Sequence, residues 1–83
     1  MGIRFESPVF GSASVDTGQL ITSRLFKGRI YDFTLDGAGP GLGGQYFIRR
    51  RGRGGKVFAE GFIPNNKSKD IFIFGRSVTL TGN

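Results

Sequence analysis

Apolar side chains along this chain recur at every second position more often than at the spacing of a helix. Between Arg29 and Asp36, Tyr31, Phe33 and Leu35 share one face while Asp32, Thr34 and Asp36 share the other. That two-residue period predicts a half-buried strand. Ile3 and Phe5 alternate with Arg4 and Glu6 in the same way until Pro8. Because proline cannot donate to a ladder, residues 3–10 read as an edge strand. Gly11 to Ser14 reads as the loop that follows.

Residues 16–26 fit two descriptions. Asp16 with Gln19 has the spacing of a capping box, Leu20, Ile21, Arg24 and Leu25 recur helically, and Gly28 suits a C-cap. These features would suit one short helix near residues 17–26, the alternative to the strand favoured there. The alternation of Ile21, Ser23 and Leu25 suits a strand equally well, and Gly18 and Thr22 are weak helix formers.

The run Gly37-Ala-Gly-Pro-Gly-Leu-Gly-Gly44 is too rich in glycine to predict regular structure. It contains a literal G-x-G-x-x-G, but a strand pattern follows where a dinucleotide site needs a helix. A hairpin is predicted from Gln45 to Ile63, with Gly52, Gly54 and Gly55 at its turn. Pro64 to Asp70 has strong turn chemistry. Ile71-Phe72-Ile73-Phe74 then places apolar side chains on both faces of one strand, so the face away from the core needs a cover.

Together these segments predict an all-β fold. Five or six short antiparallel strands would form a small barrel or sandwich, SH3-like or OB-like by strand count and size. At 83 residues the chain (1–83) is expected to be a single domain. Nine Phe are expected to provide material for a packed core, compensating for a small count of aliphatics.

Composition narrows the chemistry further. With neither Cys nor His, the chain lacks thiolate and imidazole nucleophiles, and carboxylates are the only ordinary side-chain ligands for a metal. Asp32 and Asp36 share a strand face, but two oxygens of that kind make a poor cation site. Glu60 is expected to pair with a cross-strand arginine. No catalytic activity, cofactor or metal is expected.

No apolar run approaches the roughly 20 residues that span a bilayer, and the first residues lack the layout of a signal peptide. The expectation is a cytoplasmic protein without membrane insertion.

The balance of 12 Lys and Arg against 6 Asp and Glu leaves a net charge of +6, which favours an anionic partner. Five of the cations, Arg49, Arg50, Arg51, Arg53 and Lys56, crowd the turn of the predicted hairpin. Guanidinium groups bond phosphates in pairs, and aromatic rings stack on bases. Strand alternation puts Arg49 and Arg51 on one face and Arg50 on the other, so all three reach one ligand only if the hairpin projects as an arm.

A second cluster, Arg24, Lys27 and Arg29, would join the first across a sheet. The nine expected nucleic-acid-binding residues are therefore these eight cations and Tyr46, the last as a stacking ring. About five phosphate contacts would give a log–log salt slope of about −4.

The function expected is a non-catalytic module that binds DNA or RNA. The alternative is a small self-associating protein, which meets its own copy through Ile71 to Phe74 and grips an acidic protein with its basic face.

Overall fold

The computed structural model describes residues 2–83 as eight strands and, among the described residues, no helix. In chain order they are β1 (Ile3–Ser7), β2 (Gly11–Val15), β3 (Thr17–Phe26), β4 (Arg29–Gly39), β5 (Gly43–Arg50), β6 (Val57–Ile63), β7 (Ser68–Ile73) and β8 (Arg76–Gly82). They form two antiparallel sheets of four strands. One runs β2-β1-β8-β7 and the other is a meander, β3-β4-β5-β6.

The apolar alternation explains how the sheets meet. Each turns its apolar parity inward: Ile3, Phe5, Ile71, Ile73, Val78 and Leu80 from the first, and Tyr31, Phe33, Leu35, Tyr46, Ile48 and Ile63 from the second. Phe5 stacks on Phe33 across the gap, with ring centroids 4.8 Å apart and planes 11° from parallel. Phe10, in the β1–β2 turn, packs against Phe26, Tyr31 and Phe33. At the usual transfer value, each such ring contributes roughly 2–3 kcal/mol.

Several expectations are corrected. The strands number eight rather than five or six, and no ladder closes them into an SH3-like or OB-like barrel. Residues 17–26 are a ten-residue strand, the favoured of their two descriptions, and not the alternative short helix, because β3 pairs along its whole length with β4, from Thr17 opposite Ala38 to Phe26 opposite Arg29. Those ladder bonds outweigh a local preference worth only tenths of a kcal/mol per residue.

Strand β1 is central rather than an edge, lying between β2 and β8. Pro8 is harmless there because the strand ends at Ser7, whose hydroxyl accepts hydrogen bonds from the Val9 and Phe10 amides. Gly11 to Ser14, expected as a loop, belongs to β2.

The glycine-rich run is ordered as well. Strand β4 continues to Gly39 and β5 begins at Gly43. Glycine is needed here because backbones converge at this end: a Cβ on Gly37 would lie 2.5 Å from the Asp16 carbonyl oxygen, and one on Gly2 would lie 2.6 Å from the Gly37 Cα. The β2–β3 and β6–β7 connections, which carry the chain between sheets, meet the β4–β5 turn at this end. The opposite end carries the four tight turns.

Candidate nucleic-acid interface

Strands in a meander reverse direction one after another, so the turns β1–β2, β3–β4, β5–β6 and β7–β8 fall at the same end. Aromatic contacts join them. Tyr31 lies 5.6 Å from Phe10 of the first turn, 5.3 Å from Phe58 beside the third and 6.2 Å from Phe74 of the fourth. This geometry brings the two predicted basic clusters together.

Lys27 and Gly28 form a two-residue turn with φ of 50° and 74°, and Phe74 with Gly75 repeats it at 50° and 75°. Both residues of each turn are left-handed, the geometry that matches the strand twist. Arg76, a member of neither predicted basic cluster, follows directly.

The third turn is set by a bulge. Ile48 opposes Ala59, whereas Arg49 opposes Val57, so Phe58 is the extra residue and its ring turns in to Tyr31 and Phe74. The Arg50 amide donates to the Lys56 carbonyl at 2.9 Å, and the Arg51 amide donates to the Ile30 carbonyl at 2.8 Å. Because β4 holds the chain as far as Arg51, the hairpin does not project as an arm. Only the Gly52 to Gly55 turn overhangs.

The predicted cations divide into two groups. Arg51 is engaged internally: its Nη2 and Nε donate to Asp32 Oδ1 and Oδ2 at 2.7 and 3.1 Å, and Nη2 also donates to Ser23 Oγ at 2.7 Å. The Ser23 hydroxyl completes the set by donating to Asp32 Oδ1 at 2.5 Å. That hydroxyl and then the guanidinium hold the Asp32 carboxyl below its ordinary pKa.

Arg24 is engaged too, with Nε 2.6 Å from the Phe10 carbonyl oxygen and Nη1 bonded to Thr22 and Ser23, which fastens the first turn to β3. Arg49, Arg50, Arg53, Lys56, Lys27 and Arg29 make no ion pair among the described residues. Arg50 is half-buried at the end of the core; the other five are exposed.

Tyr46 is buried, 4% exposed, and points into the core beside Ile48. It has no open face for a base. The rings that do face out from this sheet are Phe47 and Phe62, neither of them among the nine expected binding residues. Phe47 opposes Glu60, and Phe62 opposes Gln45. Glu60 therefore faces a ring instead of the expected arginine.

These residues line a shallow basin of about 770 Å³ on the outer face, with Gln19, Thr34 and Asp36 on its far side. The Arg49 guanidinium sits 5.9 Å above the Phe47 ring, between basin and turn end.

On the first sheet, Ile71 and Ile73 are buried, while Phe72 on the edge strand β7 is 69% exposed and Phe74 53%. Among the described residues no cluster of three or more carboxylates could hold a metal ion.

Fold and site thus define an all-β domain of two four-stranded sheets with one strongly basic end. No known protein family, curated protein or solved structure matches the chain.

Proposed function

We propose that this is a non-catalytic nucleic-acid-binding module whose turn end holds the phosphate backbone. In architecture we read its two sheets as an open sandwich. The observation that carries the functional reading is the gathering of Lys27, Arg29, Arg53 and Lys56, exposed and outside any ion pair among the described residues, around adjoining turns of one sheet. Like charges so grouped repel one another, and an anionic ligand relieves that repulsion while releasing its own counterions. Arg49 extends the contact along β5 on the outer face, Arg50 lies on the opposite one, and Arg51 and Arg24, tied to Asp32 and to the Phe10 carbonyl, brace the turn end.

The test is fluorescence anisotropy with labelled DNA and RNA across a range of salt. Micromolar or tighter binding that weakens steeply with salt supports the reading, and absence of binding at low salt contradicts it.

One observation favours a second reading. Phe72, 69% exposed on an edge strand, is the kind of residue a subunit interface covers, so a self-associating protein with an acidic protein partner is the alternative. A strictly monomeric mass at high concentration removes its support.

A further inference from the structure

We infer that the outer face of the β3-β4-β5-β6 sheet is a platform for unpaired bases, so that the ligand is single-stranded nucleic acid. This rests on the reading above and specifies its ligand. Phe62 is 49% exposed and Phe47 is half-buried on the same face. Phe47 opposes Glu60, so Phe62 is its diagonal neighbour on the next strand, and such neighbours stand about 7–8 Å apart. Two rings so placed offer flat apolar surfaces to two bases. Stacking of this kind accepts any base, since each has a π-face.

Charge decides the orientation of the strand and argues against a duplex. Asp36 and Glu60 flank the rings, and their carboxylates repel phosphates while accepting hydrogen bonds from exocyclic amino groups, as acidic side chains do with cytosine. A duplex presents its phosphates outward and keeps its base faces stacked. An unpaired strand instead lays its bases over the basin and leaves its phosphates to Arg49, already poised over Phe47 at 5.9 Å, and then to Arg53 and Lys56 at the turn.

The experiment measures affinity and salt slope for a mixed-sequence single strand of about 12 nucleotides, a span a small domain covers, and for the matching duplex. The proteins are the wild type, Phe47→Leu, Phe62→Leu and the double variant Arg53→Ala/Lys56→Ala. Leucine keeps the apolar contact and removes the ring, so folding is retained and only stacking is lost.

Tighter binding of the single strand than of the duplex is expected. Each Phe→Leu change should weaken it about tenfold with the salt slope unchanged. Duplex binding as tight as single-strand binding, with both Phe→Leu variants equal to wild type and the Arg53/Lys56 variant weakened, overturns the platform while leaving a nucleic-acid partner in place. No binding of either nucleic acid at low salt overturns both.

Discussion

Arg51 grips Asp32 with two hydrogen bonds, 2.7 Å from Nη2 to Oδ1 and 3.1 Å from Nε to Oδ2, which takes it out of the set of cations open to a ligand. Arg51→Ala should therefore cost stability and spare affinity. With the arginine side chain 53% exposed, solvent screening limits the loss to about 1 kcal/mol, the upper end for a surface pair of good geometry. Urea titration reads the first effect, and a nucleic-acid affinity within about twofold of wild type the second.

The same pair gives the domain a dependence on acid. Because Ser23 and Arg51 lower the Asp32 pKa in the folded state, its contribution is complete above the ordinary carboxylate value and is lost as pH falls through the lowered one. Asp32→Asn removes that contribution. Urea midpoints of wild type and variant should differ most at neutral pH and draw closer at about pH 3, below the ordinary carboxylate value. An equal gap at both pH values would show that Asp32 acts through packing alone.

Tyr46 lies across its cross-strand partner Gly61, where an added Cβ would meet Tyr46 Oη at 3.0 Å and Cε1 at 3.2 Å. The glycine leaves a gap on the edge strand β6 that the ring fills. Gly61→Ala should displace the ring and destabilise by about 1–3 kcal/mol. The Tyr46 hydroxyl is buried without a hydrogen-bond partner among the described residues, so Tyr46→Phe should be neutral or stabilising by up to about 1 kcal/mol. Thermal melts of the two variants should move in different directions, or the second not at all, and Tyr46→Phe should bind nucleic acid like wild type.

Two glycines with positive φ separate steric from conformational need. Gly43 has φ 78° and a Cβ there would strike the Ile63 carbonyl oxygen and come within 2.9 Å of the Pro64 carbonyl carbon. Gly54 has φ 65° and open space around it. Gly54→Ala should cost only the left-handed penalty, about 1–2 kcal/mol, whereas Gly43→Ala should cost several kcal/mol more than that or prevent folding. Denaturation of the pair reads the difference directly.

The legible parts of the chain were those where one period dominates. Tyr31, Phe33 and Leu35 alternate cleanly, and all three are core residues of β4. Residues 17–26 carried helical and strand spacing together, and only the long partner strand, which no local pattern reveals, decides between them. The glycines from 37 to 44 read as loop because glycine marks both free turns and close backbone approach; here it marks the latter on either side of the Pro40–Leu42 turn.

In the candidate site, the face of β5 was readable and was misassigned. Gln45, Phe47 and Arg49 share the outward parity while Gly44, Tyr46 and Ile48 share the inward one. Polar Gln45 and Arg49 therefore mark Phe47 as the exposed ring, whereas the inward parity that Tyr46 shares with Ile48 buries it. Nothing local distinguishes Arg51 from Arg53, because the ion pair of Arg51 depends on Asp32, nineteen positions away.

The most direct test of the account is the salt dependence of single-strand affinity for wild type, Arg51→Ala and Arg53→Ala/Lys56→Ala. About five phosphate contacts predict a log–log slope of about −3.5, at roughly −0.7 for each. Loss of Arg53 and Lys56 should reduce its magnitude by about 1.4, and loss of Arg51 should leave it unchanged. Wild-type binding that is absent at low salt, or a slope that Arg53→Ala/Lys56→Ala leaves where it was, would contradict the assignment of the turn end to nucleic acid.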